Sequence, residues 1–341
     1  MTHFVLTTSF PTYPGEAAGH FVEAEALALL RHGPVTVLAA GREKEPHGGP
    51  LEVTWLGGRA LFGWPGALPR LKRRPWVICE LPGILRRARH ALTGKRGHLV
   101  AHWILPFGLF AARLQRKRAP FERFQSLQVV AHGSDVRLLL ALPGLFRHAI
   151  LHEIFLAHAE LRFVAAELRD ELAAALPKEL AEYVRKAHVE PAALALPLNL
   201  PSREQARFQL GLDGDRPVVL FVGRLVDGKR PRVALEAAML IPEARVYCLG
   251  DGPERNRLER GFTEVHFLGQ VDRTTCMTWM RAADLLISSS RLEGSPGGVR
   301  EALALGIPVV AVPAGDLKER AALDSNLWLV GGGRPLSDAI E

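Results

Sequence analysis

Two glutamates flank a small, glycine-rich loop in the stretch SRLEGSPGGVREALALGIPVVA (290–311). Glu293 precedes the loop, and Glu301 follows eight residues later, where the pattern predicts a helix that leads into a buried strand. Carboxylates accept hydrogen bonds from hydroxyl groups, so a sugar or a ribose diol would suit each of them. The spacing alone also arises by chance, because glutamate is common near helix starts.

The loop between these glutamates predicts an anion site at a helix N-terminus. Ser295 is predicted to cap the helix and Pro296 to be its first residue, because proline lacks the N–H that would be unpaired there. The following N–H groups lie at the positive end of the helix, and glycine has no side chain to block an oxygen ligand. These N–H groups, which suit a phosphate, belong to Gly297, Gly298 and Val299.

A second anion feature is VLFVGRLVDGKRP (219–231). Gly223 ends a predicted strand, Arg224 follows directly, and Lys229 precedes a predicted helix, so both cations should project over the same cleft. A guanidinium fork and an ammonium point charge together suit a diphosphate. Two surface cations without a ligand are the alternative interpretation.

In the first half of the chain, the candidate residues follow predicted strands. They are Gly19, His102, His132 and Asp135. A single histidine at a strand end is more often a packed or capping residue than a ligand, and Asp135 is well placed to cap the next helix. His102 and Asp135 are kept as candidates on the acceptor side of a site.

Strand-like and helix-like segments alternate along the chain, which predicts parallel sheets with helices on both faces. In the first half, a helix is predicted over 17–33 and strands over 3–10, 35–40, 51–56, 98–103, 127–132 and 148–152. In the second half, strands are predicted over 216–223, 244–250, 264–269, 283–290 and 307–312, with helices over 231–240, 253–261, 274–283 and 298–306.

A proline-rich stretch with little periodicity (189–205) separates the two series and predicts a linker. We therefore predict an α/β protein of two doubly wound, Rossmann-like domains, 1–197 and 198–341. Ligands bind beyond the carboxyl ends of the strands in such sheets, so two facing sheets would place the site in the cleft between them. The length of 341 residues agrees with two domains, because single cores rarely exceed ~250 residues.

Composition narrows the class of protein. The three cysteines lie far apart without CxxC spacing, so neither a disulfide framework nor a structural zinc site is expected. A signal-peptide pattern and a run of 18 apolar residues are both missing, which favours a cytoplasmic protein that does not span a membrane. We found no DxD pair on a strand-end loop, so no metal and no other cofactor is expected.

The net charge of +7 is concentrated in the first half. Residues 1–199 hold 25 Lys and Arg against 17 Asp and Glu, whereas the remaining residues hold 18 against 19. Much of the excess lies in segments 70–96 and 113–123, which could attract an anionic membrane surface, although a solvated surface is the alternative. Nucleic acid is not a predicted partner, because no recognition motif or aromatic groove accompanies the charge.

The second half resembles the retaining glycosyltransferases of the large GT-B family that acts on lipopolysaccharide, exopolysaccharide and phosphatidylinositol acceptors. The matching segments run in order as FVGRLVDGKRP, CLGDGPERNRLE, VHFLGQV and RAADLLISSSRLEGSPGGVREALALGIPVVA. The last is similar to the E-x7-E signature of the family, with Glu293 and Glu301 at its ends. SFPTYPGEAAGHFV, AHWILPFGLFAARL and VVAHGSDV in the first half are similar to the family's first glycine loop and paired histidine strand ends.

The resemblance implies a role for each candidate residue. Arg224 and Lys229 would neutralise the diphosphate of a nucleotide-sugar donor, while Glu301 would bind the ribose and Glu293 the sugar hydroxyls near the reacting carbon. Gly19 would let the donor phosphate approach the first domain, and His132 would contact the sugar. The remaining donor-binding positions are Gly250 and segment 267–270 at the base, Gly297, Gly298 and Val299 at the distal phosphate, and Gly294 and Ser295 in the same loop.

The implied reaction is a retaining, metal-independent transfer of a sugar from a nucleoside-diphosphate sugar to a glycan or glycolipid acceptor. Its implied location is the cytoplasm or the inner membrane face. Two alternatives remain open from the sequence. One is a GT-B epimerase or phosphorylase, and the other is a catalytically silent scaffold that only binds a nucleotide sugar.

Overall fold

The computed structural model of the protein describes residues 1–45, 49–62, 66–212, 214 and 216–330. The chain divides into two compact units, with the boundary in the sequence between Ala193 and Leu194. The sequence places this boundary slightly later, between residues 197 and 198. Within the described ranges, each helix is too short or too polar to cross a bilayer.

The first unit is built around a parallel sheet with the strand order β3-β2-β1-β4-β5-β6-β7. The strands are β1 (His3–Thr7), β2 (Val35–Ala39), β3 (Glu52–Trp55), β4 (His98–His102), β5 (Ser126–Ala131), β6 (Glu160–Phe163) and β7 (His188–Val189). Alternate β1 side chains enter two cores. Leu6 packs with Leu38 on one face of the sheet, and Val5 packs with Val37 on the other.

Helices cover both faces of this sheet and connect its successive strands, except that β2 leads to β3 without a helix in the described residues. They are α1 (His20–Leu29), α2 (Ala67–Arg73), α3 (Glu80–Leu92), α4 (Leu109–Lys117), α5 (Ser134–Ala141), α6 (Gly144–Leu156), α7 (Ala166–Ala174) and α8 (Lys178–Arg185). The predicted strand over 148–152 is wrong, because these residues lie inside α6. Leu151 and Ile154 are buried three residues apart, which is the spacing of a helix face rather than of a strand.

The second unit has a parallel sheet with the order β10-β9-β8-β11-β12-β13. Its strands are β8 (Val218–Val222), β9 (Arg245–Leu249), β10 (His266–Gly269), β11 (Leu285–Ser288), β12 (Val309–Ala311) and β13 (Leu327–Leu329). Its helices are α9 (Arg203–Gln209), α10 (Pro231–Ala238), α11 (Arg255–Gly261), α12 (Arg273–Ala282), α13 (Gly297–Ala304) and α14 (Leu317–Ala321). Separate apolar cores lie on its two faces, so the predicted doubly wound α/β architecture is confirmed in both units.

The stretch predicted as a linker contains a helix start that the sequence analysis missed. Ser202 caps α9 in a capping box, in which its hydroxyl accepts from Gln205 N at 3.2 Å. The Gln205 side chain in turn accepts from Ser202 N at 2.9 Å. The sequence SREQ matches the capping-box pattern, but the neighbouring prolines led to the prediction of a linker instead of a helix start.

Candidate functional site

The loop after β11 in the second unit leads into α13. The first helical residue is Gly297, and Pro296 occupies the N-cap position in an extended conformation. The predicted cap is therefore wrong, because the Ser295 hydroxyl turns away and donates to Asp316 Oδ2 at 2.8 Å. The first turn still begins with two glycines, and no neighbouring heavy atom would lie within 4 Å of a Cβ added at Gly297. Packing therefore does not demand a glycine there, and the open space leaves room for an approaching anion.

A clamp from the loop that precedes α14 holds this segment in place. Asp316 N donates to Gly294 O at 3.0 Å, and Arg320 Nη2 donates to Asp316 Oδ2 at 2.8 Å. Gly315 has φ +60°, and a Cβ there would lie 1.9 Å from Gly294 O. Only glycine fits such a position, so Gly315 and Asp316 fix the path of residues 294–295. Neither residue was predicted from the sequence.

Each of the two signature glutamates lies against a cation. Lys229 Nζ forms an ion pair with Glu293 Oε1. Arg273 Nη2, at the start of α12, donates to Glu301 Oε1 at 2.8 Å, and the Glu301 side chain is only 7% exposed. The structure thus brings Lys229 to Glu293 as a close pair. Arg273 was not predicted, because it lies 28 residues before its partner on another helix.

The turn that carries Lys229 is attached to the loop after β11. Arg230 Nε donates to Ser289 O at 2.7 Å, and Arg291 N donates to Gly228 O at 3.3 Å. These contacts position Lys229 above Glu293, beyond the carboxyl ends of β8 and β11. Arg224 follows Gly223 at the end of β8, on the same edge of the sheet.

Gly250 has a packing reason to be glycine in addition to its predicted role. Its φ is +136°, and an added Cβ would lie 1.9 Å from Gly223 O. Its N–H donates to Gly269 O at 2.8 Å, which ties the end of β9 to β10 within the predicted 267–270 segment. This close backbone approach explains Gly250 without any ligand.

In the first unit, Gly19 lies at the N-cap position of α1 with φ +81°. A Cβ there would lie 2.6 Å from the Ser9 carbonyl carbon and oxygen, in the loop after β1. The glycine therefore allows the helix start to approach this loop closely. The same loop is held by Thr12, whose N–H and hydroxyl donate to Glu16 Oε2 at 2.6 and 2.7 Å.

The prediction that Asp135 caps α5 is wrong. It is the second helical residue, and Gly133 occupies the N-cap position. One carboxylate oxygen accepts from His132 N and Gly133 N at 3.0 Å each, and the other accepts from Ile104 N at 2.8 Å. Asp135 therefore ties the end of β4 to the end of β5. Burial raises the pKa of this carboxyl, while the backbone N–H donors oppose the shift.

The two predicted histidines form one contact at the ends of β4 and β5. His102 Nδ1 lies 2.9 Å from His132 Nε2. His102 is fully buried, whereas His132 is half-buried and packs against the rings of Trp103 and Phe21, with centroid distances of 4.7 and 5.1 Å. Burial lowers the pKa of His102 to about 3 and that of His132 well below its usual value, so both rings are neutral at pH 7.

Comparison with known proteins assigns the second unit to a family. Residues 216–340 match the family described as Glycosyl transferases group 1. The second unit carries a group 1 glycosyltransferase domain. A D-inositol 3-phosphate glycosyltransferase of Xylanimonas cellulosilytica is 32% identical over 203 residues, which cover 52% of this chain and 48% of the relative. The chain thus spans at most about half the length of the curated relatives that it matches.

Solved structures extend the likeness to the whole fold. Sucrose-phosphate synthase from Thermosynechococcus elongatus matches with a TM-score of 0.72 and 22% identity, over 99% of this chain and 88% of that chain. HepE of Anabaena in complex with UDP-glucose matches with a TM-score of 0.66 and 18% identity, over 100% and 88%. The predicted GT-B fold is confirmed. The Glu293–Lys229 and Glu301–Arg273 pairs belong to the glycosyltransferase domain itself.

Proposed function

We propose that the protein is a glycosyltransferase that transfers a sugar from a nucleoside-diphosphate sugar to a glycan or glycolipid acceptor. The observation that carries the proposal is the glycine-led N-terminus of α13, flanked by Glu293 and Glu301 and clamped through Asp316. A helix start with open N–H groups suits a phosphate, and carboxylates on either side of it suit hydroxyl groups. A relative that is 32% identical over part of the chain is named a D-inositol 3-phosphate glycosyltransferase, and HepE was crystallised with UDP-glucose.

The donor diphosphate would bind between the α13 N–H groups and the cations Arg224 and Lys229. Lys229 would then share its charge between the phosphate and Glu293, its present partner. Glu293 would accept from hydroxyls of the sugar, and Glu301, oriented by Arg273, would accept from the ribose. The base would lie along Gly250 and residues 267–270. Gly19 and His132 would supply the contacts of the first unit.

The chemistry would follow from charge stabilisation. Departure of the nucleoside diphosphate builds negative charge on its phosphate, and preorganised N–H groups with two cations stabilise that charge in the transition state. These groups supply the positive charge that a divalent ion would otherwise bring, so we propose a metal-independent reaction. Retention of the anomeric configuration is proposed from the family resemblance, with the leaving phosphate guiding the acceptor on the same face.

We propose that the basic segments of the first unit bind an anionic membrane surface on the cytoplasmic side, where the acceptor would be found. Segment 70–96 exposes Lys72, Arg73 and Arg74 next to Trp76, whose side chain is 66% exposed. In segment 113–123, Phe121 is 71% exposed beside basic residues. Cations attract anionic lipid headgroups, and an exposed tryptophan favours the interface. Sedimentation with anionic liposomes at low salt tests this part, and failure to sediment would refute it.

Thermal-shift measurements with UDP, GDP, ADP and CMP, each with and without EDTA, test the donor site. A ligand at ~100 times its Kd stabilises the native state by about 2.7 kcal/mol. We expect one nucleoside diphosphate to stabilise the protein equally with and without EDTA. Binding without turnover would favour the silent scaffold, and turnover that needs free phosphate instead of an acceptor would favour a phosphorylase. Stabilisation by none of the four would refute the donor site.

A further inference from the structure

A buried ion pair lies behind the two histidines of the first unit. Arg162, on β6, places Nη2 2.6 Å from both carboxylate oxygens of Glu25, which lies on α1. Both residues are buried, at 7% and 8% exposure. Arg162 Nη1 also lies 3.5 Å from Glu190, which is largely exposed. Glu25 and Arg162 are 137 residues apart in the chain, so the tertiary fold alone brings them together.

The carboxylate of Glu25 also faces His102. Its Oε1 lies 3.9 Å from His102 Nε2, which is too far for a hydrogen bond but near enough for an electrostatic interaction inside the core, and the charge of Arg162 opposes it. His102 Nε2 has no hydrogen-bond partner within the described residues. The row of groups therefore runs from Arg162 through Glu25 and His102 to His132.

Neutral rings leave one proton to be placed in the His102–His132 contact. If His102 Nδ1 carried it, the lone pair of His102 Nε2 would face the negative carboxylate of Glu25. If His132 Nε2 carries it, His102 Nδ1 accepts, and His102 Nε2–H points toward that carboxylate. The second arrangement is favoured because it turns a repulsion into an attraction. It leaves His132 Nδ1 as a hydrogen-bond acceptor.

We propose that Glu25, acting through His102, holds His132 as the Nε2–H tautomer, so that His132 Nδ1 accepts a hydrogen bond from a hydroxyl of a bound ligand. No described residue donates to that nitrogen, and the rings of Trp103 and Phe21 pack against the imidazole. Glu25 and His102 are then positioning residues. That the hydroxyl belongs to a donor sugar rests on the proposed function.

The tautomers can be read directly from two-bond ¹H–¹⁵N correlation spectra of the full chain labelled with ¹⁵N-histidine at pH 7.5. His132→Asn and His102→Asn variants assign the signals of the two histidines. We expect both His102 and His132 to be neutral with the proton on Nε2. In Glu25→Gln, the preference should relax toward a mixture of tautomers. The matched control is Glu190→Gln, which removes a carboxylate from the same arginine but does not face His102, and it should keep the wild-type pattern.

Several results would overturn the proposal. His102 or His132 with the proton on Nδ1 in the wild type would do so, and this needs no variant to fold. Unchanged tautomers in a folded Glu25→Gln variant, or the same relaxation in Glu190→Gln, would also do so. If Glu25→Gln does not fold because Arg162 loses its counter-charge, the more conservative Glu25→Asp replaces it and should relax the preference partly.

A titration with UDP-glucose separates this inference from the proposed function. We expect UDP-glucose to stabilise the protein and to move the His132 Nδ1 signal in the direction of hydrogen-bond acceptance. Stabilisation without any movement of that signal would refute the acceptor role of His132. The absence of UDP-glucose binding would count against this nucleotide sugar as donor, while the tautomer spectra of the free protein would still decide the roles of Glu25 and His102.

Discussion

Replacement of Gly297 by alanine separates anion binding from folding. No neighbouring heavy atom would lie within 4 Å of the new methyl group, and the position has helical dihedrals without a positive φ. The folded chain therefore accommodates the methyl without strain. Alanine should leave the free energy of unfolding unchanged or raise it by up to about 1 kcal/mol, because it restricts the unfolded chain.

Ligand binding should respond in the opposite direction. Each Cα–Cβ bond of a helix tilts toward the N-terminus, so the methyl of Gly297→Ala projects to the side from which a phosphate would approach. A hydrogen bond to a charged group contributes roughly 1.5–3 kcal/mol, and losing or lengthening one weakens binding by roughly 10- to 150-fold. We therefore expect a higher Tm or an unchanged one, together with a much weaker nucleoside diphosphate complex.

Calorimetric titration with UDP, GDP and ADP measures this loss, and thermal unfolding without ligand measures stability. Gly261→Ala is the matched control, because Gly261 is also helical and its added Cβ would meet no atom within 4 Å. It should bind nucleotide like the wild type. Equal Kd values for the wild type and Gly297→Ala would show that the helix start does not hold the phosphate. An equal loss in both variants would have the same consequence.

Three further predictions address other parts of the protein. Glu301→Ala should weaken nucleotide binding at least tenfold in calorimetry, whereas Glu293→Ala should lower kcat more than affinity; small, equal effects would contradict the site. Gly315→Ala should lower Tm by several degrees in thermal unfolding, because its Cβ would meet Gly294 O at 1.9 Å at φ +60°. Since the pKa of His102 is about 3 when folded, against 6.5 ordinarily, the unfolded chain binds more protons between these values. Urea unfolding should show stability falling as pH drops from 6.5 toward 3, and falling less in His102→Asn.

Most strands of the two sheets could be predicted from the sequence, because strands buried on both faces appear as apolar runs. β8, β9 and β12 are of this kind, and each lies inside its predicted segment. β6 was missed because it has only four residues and Arg162 interrupts its apolar pattern. The apolar run over 148–152 was wrongly predicted as a strand, because a short apolar run fits a helix face and a strand equally well.

Contacts of the candidate site could be predicted where the residues are close in the sequence, but not where they are far apart. The loop before α13 can be recognised from the sequence, because its glycines, proline and two glutamates lie within nine residues. Arg273, Asp316 and Arg162 reach their partners from other elements, and periodicity carries no information about such contacts. A weak signal did exist, because Glu25 and Arg162 are charges within apolar segments, and a charge there requires a buried partner.

The electrostatics of each unit suit a different kind of ligand group. In the glycosyltransferase domain, Lys229 is 23% exposed and paired with Glu293, so its charge can be shared with an incoming phosphate. In the first unit, the charges of Glu25 and Arg162 neutralise each other inside the core, and the adjacent histidines are held neutral. A neutral imidazole attracts an anion only weakly, but its unprotonated nitrogen is a good acceptor of a hydrogen bond from a hydroxyl group. The second unit is therefore suited to a phosphate, and the histidines of the first unit are suited to a hydroxyl group.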